Sequence, residues 1–245
     1  MASHGYPTSS SSEEHEATRL KQAAERHAQS TQDDRYSHLN VANLLSFQQV
    51  ERGILRAFRR RGWTDFARTK VLEVGCGSAR WLREFIKWGA RPENLFGVDL
   101  IEKRIAFGKE ICPAAVHLAV GNAERLEFAD ATFDVVIQST MFTSILDPRI
   151  KHAVAREIVR VLKPQGLVVW YDFVWNSPRN PDVRGIGKKE IRDLFPGYSI
   201  DLQRVTLAPP IGRALAPISS ALYVAASKLP FLRSHCLAFI SKAAA

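Results

Sequence analysis

With 245 residues, 46% hydrophobic and 24% charged, the chain is long enough for one full core and too apolar to be disordered throughout. Thirty-four Lys and Arg against 25 Asp and Glu give a net charge of +9, a balance compatible with nucleic acid, an anionic surface or an acidic substrate, so charge alone selects none of them. Cys76, Cys112 and Cys236 are widely spaced, odd in number and lack CxxC spacing, which excludes a disulfide framework and a thiolate zinc site and leaves no metal site to expect.

No basic start followed by an apolar stretch opens the sequence, and no apolar run approaches the ~20 residues of a membrane span. A soluble, cytoplasmic protein is the expectation. Residues 1–35, with four consecutive serines from Ser9 and many charged neighbours, read as a mobile polar tail in which Glu16 to Gln29 form at most a transient helix. Residues 36–245 read as a single domain.

From Asn40 onward Leu44, Phe47, Val50, Ile54 and Phe58 recur at helical spacing, with Arg52, Arg56, Arg59 and Arg60 largely elsewhere, as in a helix packed on the domain by its apolar side. The arginines read as a solvated face, because no aromatic residues interleave them. Val71-Leu72-Glu73-Val74-Gly75-Cys76-Gly77-Ser78-Ala79-Arg80-Trp81-Leu82 then reads as buried strand, tight turn and helix start. Glycines there admit a ligand close to the backbone, and the helix start offers unpaired N–H groups.

Gly89 ends that helix, and Leu95-Phe96-Gly97-Val98-Asp99 is a second strand finishing at a carboxylate. An acidic residue at the tip of the neighbouring strand, some 20 positions past a glycine turn, is placed to bind both hydroxyls of a ribose. Val116 to Val120 form a third short strand, after which Gly121-Asn122-Ala123-Glu124 turn where an adenine would lie. Asn122 either addresses the adenine edge or merely caps its own turn, and the sequence weighs these evenly.

Phe133 to Gln138 is a fourth strand, Asp147-Pro148 caps a helix through Leu162, and Gly166 to Asp172 is a fifth strand ending in another carboxylate. This alternation demands an α/β fold: a doubly wound, mainly parallel sheet with its ligands at the carboxyl ends of the strands. A dinucleotide enzyme on that fold needs a glycine where this chain has Arg80, which suits a carboxylate better than a close-packed pyrophosphate.

Val71 to Ala79, Gly97 to Leu100, Gly121 to Leu126, Phe133 to Gln138 and Leu162 to Tyr171 together resemble the ordered motifs of the class I S-adenosylmethionine-dependent methyltransferases. The resemblance implies a seven-stranded Rossmann-like sheet, S-adenosyl-L-methionine as cofactor and methyl transfer as the reaction. It implies that Gly75 and Gly77 lie along the methionine end, that Glu73 reaches the amino group, and that Asp99 holds the ribose. Leu100 would then pack on the adenine, Asn122 and Ala123 would contact its edge, and Gln138 would sit near the sulfonium. Ala79 departs from the family, which often has a third glycine there.

Because the methyl is already activated, alignment supplies most of the catalysis and a general base is needed only for some acceptors. Asp172 is the first candidate for that base, followed by His38 and Tyr36, with Tyr36 also counted as a cofactor contact. Asn176 to Gly187 suit a polar acceptor, and residues 173–235 are expected to form the acceptor loop and lid. Ser199 to Leu207 and His235 to Ser241 read as an antiparallel C-terminal strand pair around a helical insertion. Beyond Asp201 that segment has no acidic residue, so it either packs as a lid or lies on an anionic membrane surface. The expected activity is O-methylation of a small-molecule or glycan-like acceptor. N- or C-methylation of a metabolite and cofactor binding without turnover are the alternatives, and nucleic acid is not the expected partner.

Overall fold

A computed structural model describes residues 9–30, 39–176 and 180–243. Seven strands form one sheet in the order β3-β2-β1-β4-β5-β7-β6, where β1 is Val71–Val74, β2 Leu95–Asp99, β3 His117–Val120, β4 Phe133–Ser139, β5 Leu162–Phe173, β6 Tyr198–Leu207 and β7 Arg233–Lys242. Only β7 runs against its neighbours. The mainly parallel sheet, the antiparallel C-terminal pair and the insertion expected from the sequence are all present.

The helices are α1 Ser9–Ser30, α2 Val41–Arg60, α3 Arg80–Lys87, α4 Glu102–Ile111, α5 Pro148–Val161, α6 Lys188–Leu194, α7 Pro209–Leu215 and α8 Ser220–Ser227. Asn40 caps α2 by accepting from Ala42 and Asn43 N–H, and Asp147 caps α5 with Pro148 at its first position. Past α3, Gly89 takes φ 97° and donates to Ile86 O while Ala90 N–H donates to Phe85 O, a glycine-dependent stop.

Strand alternation sorts the sheet into two faces. Val135, Ile137 and Val169 pack with Val50, Ile54 and Phe58 of α2 and Leu82 and Phe85 of α3. Leu72, Val136, Val168 and Trp170 pack with Val154 and Ile158 of α5 and Ile191 of α6. A third cluster joins Leu207, Ala216 and Tyr223 to Ala42 and Leu45 of α2, so the insertion closes over the amino-terminal half of α2.

Within the segment expected to be a mobile tail, Ser9–Ser30 instead form a helix docked on the domain. Glu16 Oε1 accepts Leu146 N–H at 2.7 Å, Arg19 donates to Ser144 O, and Arg26 pairs with Asp182 at 2.8 Å. Composition misses this docking because its hydrogen bonds and ion pairs run from charged side chains to backbone groups and one carboxylate far along the chain.

Candidate active site

The turn from β1 into α3 is held in left-handed backbone at Gly75, Gly77 and Ala79, with φ of 67°, 54° and 61°. Gly75 and Cys76 N–H both donate to Val98 O, which fastens the turn against β2. A Cβ at Gly75 would lie 2.8 Å from Met141 Cγ, whereas one at Gly77 would meet nothing within 4 Å. The first glycine is thus required by packing, and the second leaves open space beside the loop. Ala79 occupies the position of the family's third glycine in the conformation that favours glycine, at a cost of ~1–2 kcal/mol.

Asp99 ends β2 directly beneath this loop, 6% exposed. Its Oδ2 accepts Gly77 N–H and its Oδ1 accepts Ile101 N–H, both at 2.8 Å. Each oxygen keeps a further lone pair, so the carboxylate fixes the loop and can still accept the two hydroxyls of a ribose. Leu100, beside it, is half-buried.

Glu73 lies between Gly97 and Ile137 in the sheet and is buried under the start of α3, where Oε2 accepts Leu82 N–H at 3.3 Å. Burial pushes its carboxyl up to about 8. Arg80 stacks its guanidinium 3.9 Å from the Phe47 ring centroid, and its Nε and Nη2 are buried with no hydrogen-bond partner among the described residues. Gln138 is fully buried; its Oε1 accepts Met141 N–H at 3.3 Å, and its Nε2 has no such partner. Unpaired buried donors of this kind cost stability unless something accepts from them. Their presence beside an open glycine loop and a strand-tip carboxylate fits a zwitterionic amino acid joined to a nucleoside.

Asn122 is exposed and turned on itself: Oδ1 accepts Glu124 N–H and Nδ2 donates to Glu124 Oε1, both at 3.0 Å. Of the two roles open to it, the turn is visible here, with one lone pair and one N–H left over for a ligand. Ala123 is half-buried against the apolar cluster of Val74, Val98 and Leu126.

Asp172 lies near the end of β5, where the sequence reading put it. It is 0% exposed, on the α5–α6 face of β5, with Oδ1 accepting the Thr143 hydroxyl at 2.6 Å and Phe173 N–H at 3.0 Å, and Oδ2 accepting Thr143 N–H at 3.3 Å. Burial pushes its carboxyl up to about 6. Asp172, the first candidate for a general base, here anchors the loop after β4. His38 and Tyr36 lie outside the described residues.

The opposite parity of β5 supplies polar groups that the sequence reading passed over. Tyr171, one residue before Asp172, faces the α2–α3 side, its hydroxyl 2.9 Å from that of Thr206 and its ring parallel to His235 at 4.8 Å. Thr206 and Thr140 both have positive φ, 59° and 55°, rare for β-branched residues, and Thr140 N–H donates to Tyr171 O at 2.8 Å. His235 Nδ1 lies 2.9 Å from Ser234 Oγ. Burial, helped by Arg204, pushes the imidazole down to about 3, so it is neutral near pH 7. Strained backbone around a buried polar cluster marks functional sites. Tyr171 was legible as a strand-tip residue, but no motif flags Thr206 or His235.

The edge of the sheet that carries these residues is partly covered by α1, whose Glu16 and Arg19 bind the loop after β4 and whose Arg26 binds Asp182 in the loop after β5. The stretch 173–235, expected to form the acceptor loop and lid, divides in two: 180–187 meet α1 and α6, while 208–232 pack on α2. Among the described residues no three His, Cys, Asp or Glu side chains converge on a metal position.

Residues 71–166 match a family model described as a methyltransferase domain. A demethylmenaquinone methyltransferase of Staphylococcus haemolyticus (strain JCSC1435) is 30% identical over 170 residues, 67% of this chain and 66% of that protein. Its counterpart in Staphylococcus aureus (strain JH9) is 33% identical over 141 residues, 55% of this chain and 54% of that protein. The chain thus spans just under two thirds of the first relative and about half of the second. Among solved structures, a protein of Pyrococcus horikoshii OT3 superposes with a TM-score of 0.60 at 19% identity, over 86% of this chain and 96% of that one. An S-adenosylmethionine-dependent methyltransferase of Thermotoga maritima does so with a TM-score of 0.60 at 16% identity, over 91% and 100%. At these identities the structural likeness is one of fold.

Proposed function

The chain carries a class I S-adenosylmethionine-dependent methyltransferase domain, and on that premise we propose that it transfers the methyl group to an oxygen of a small-molecule or glycan-like acceptor. The observation that carries the cofactor half of this reading is the Asp99 carboxylate, tied to both Gly77 and Ile101 with a lone pair left on each oxygen. When bound, S-adenosylmethionine supplies a methyl group already activated on a sulfonium.

The chain's residues then divide the work of binding and alignment. Asp99 accepts the ribose hydroxyls, with Leu100 and Ala123 against the base and the remaining hydrogen-bonding capacity of Asn122 at its edge. Gly75 and Gly77 admit the methionine end, Arg80 binds its carboxylate, and Glu73, on losing its proton, faces its ammonium. Gln138 donates its free amide N–H toward the sulfur end. Tyr36 and His38, from the segment before α2, remain candidates for the cofactor side and for a base. Orientation of acceptor against methyl supplies the rate, worth ~7–11 kcal/mol of the barrier when well aligned.

On the acceptor side, Asp172 acts through Thr143 by holding the loop that carries Met141, and Tyr171, Thr206 and His235 form a polar set near the carboxyl end of β5. Such a set suits a hydroxyl-bearing acceptor. The small-molecule class is supported by the relatives, which are by name demethylmenaquinone methyltransferases; that name also favours testing quinone-like metabolites methylated at carbon.

Calorimetry with S-adenosylhomocysteine, followed by incubation with methyl-labelled cofactor and panels of hydroxylated metabolites, glycans and quinones, tests the proposal. Label in a hydroxylated acceptor supports it. Label only in a carbon or nitrogen acceptor removes the oxygen assignment, and binding without turnover on any panel leaves a cofactor-binding protein in its place.

A further inference from the structure

β6 runs parallel to β5 and β7 returns against both, so the insertion between β6 and β7 emerges at the same edge of the sheet as the candidate site. Its helix α8 buries one narrow side and leaves apolar residues on the rest. Tyr223 and Ser227 are buried, the tyrosine hydroxyl 2.7 Å from Ser46 Oγ and the serine donating to Val224 O at 2.8 Å. Leu222 and Val224 face solvent, 51% and 42% exposed. The apolar exposure continues on either side of the helix, with Ile218 at 72% and Phe231 at 74%, and no residue from Pro217 to Ser227 is charged. Several large apolar side chains exposed within one short insertion are the composition of an interaction site.

Charge along the insertion and β7 has one sign. Residues 202–245 contain Arg204, Arg213, Lys228, Arg233 and Lys242 and no Asp or Glu, and Arg213 and Lys228 are exposed. Arg204 lies 5.0 Å from the Trp175 ring centroid and donates to Arg233 O, which brings an indole 60% exposed to the side of the insertion. Apolar and aromatic side chains flanked only by cations are the composition that binds acidic lipid headgroups.

We propose that the α7–α8 insertion docks on the anionic surface of a lipid bilayer, with Ile218, Leu222 and Phe231 entering the boundary between headgroups and acyl chains and Arg213 and Lys228 facing acidic headgroups. The contact is peripheral, since no helix among the described residues is long and apolar enough to cross a membrane. A second copy of the chain fits this face poorly: a twofold pairing sets each surface against itself, and the insertion has no acidic residue to answer its own cations. The docking is independent of methyl transfer and stands or falls without it.

The test is sedimentation of the purified full chain with vesicles of phosphatidylcholine alone and of phosphatidylcholine with about one third phosphatidylglycerol. Binding at least about tenfold tighter to the anionic vesicles, weakened by added salt, is the expected result. Lys228→Ala weakens it roughly fivefold, the worth of one cation near such a surface. Leu222→Ser with Phe231→Ser weakens it more than about tenfold, with an unchanged melting temperature because both side chains are exposed. Failure to bind, equal binding to neutral and anionic vesicles, or indifference to both variants overturns the proposal. So does a concentration-dependent dimer that the double variant dissociates, which would make the face a contact between copies.

Discussion

The hydroxyls of Tyr171 and Thr206 lie 2.9 Å apart, and Thr206 holds that place with a φ of 59°. A β-branched residue adopts such backbone only where its surroundings impose it. Tyr171→Phe leaves the Thr206 hydroxyl buried with its partner gone, and we expect a loss of ~1–3 kcal/mol in stability by urea unfolding. If the cluster orients the acceptor, the same variant lowers methyl transfer to whichever acceptor the native chain takes while the cofactor Kd stays within about twofold. A cofactor Kd that moves with the turnover would put Tyr171 on the cofactor side instead.

Asp99 makes a second prediction, since its carboxylate serves loop and ligand together. Asp99→Ala removes the acceptors for Gly77 and Ile101 N–H as well as those proposed for the ribose. At ~1.5–3 kcal/mol for each charge-assisted bond, calorimetry should show cofactor affinity about 100-fold weaker or worse. An unchanged affinity would refute the ribose role.

The sequence pattern carried much of the strand and helix order because β1, β2 and β5 are apolar runs that meet a glycine or a carboxylate, and α2 and α5 have local caps in Asn40 and Asp147. It carried Asp99 and the glycine corner for the same reason: close backbone approach leaves glycines and strand-tip acids as its local trace. What it missed depends on parity and distance. Asp172 and Tyr171 are adjacent at the tip of β5, and only the registered sheet shows that the acid points under α5 and α6 while the phenol points toward Thr206 and His235. The docking of α1 was illegible because Glu16 is answered by the backbone N–H of Leu146, 130 residues away.

Glu73 makes the stability of the cofactor-free protein depend on pH. Its folded carboxyl, raised by burial to about 8, keeps a proton that the unfolded chain has released, so stability falls as pH rises from the ordinary carboxyl range to about 8. Asp172, raised by burial to about 6, adds to the fall only below that pH. His235, lowered by burial and Arg204 to about 3, acts in the other direction and only below its ordinary pKa of ~6.5. Between pH 6.5 and 8 Glu73 therefore dominates among the three. At ~1.4 kcal/mol per pH unit, urea unfolding should show a loss of about 2 kcal/mol across that window, and Glu73→Gln should abolish most of it. A native slope that survives the substitution would remove Glu73 as its source. Cofactor binding by the native chain in the same window should release a proton, read by calorimetry in buffers of different ionisation enthalpy.

The attachment of α1 makes the last prediction. Glu16 is buried where it bonds Arg19 at 2.8 Å and Leu146 N–H at 2.7 Å. Burial opposes its ionised form, but the Arg19 and Leu146 bonds outweigh that and hold its carboxyl below the usual range. The attachment it contributes is therefore complete above the ordinary carboxyl pKa and is lost as pH falls through the lowered one. Glu16→Ala removes both bonds and leaves Leu146 N–H without its acceptor, a loss of ~2 kcal/mol for a charged hydrogen bond, which corresponds to about 30-fold in the fraction of time the helix is detached. Hydrogen exchange of the α1 amides, measured by mass spectrometry, should speed up by about that factor, while β1 and β4 amides keep their native protection because neither strand touches Glu16. Equal acceleration in the sheet would mean that α1 is part of the cooperative core, and unchanged exchange in α1 would mean that Arg19 and Arg26 hold it alone through Ser144 and Asp182.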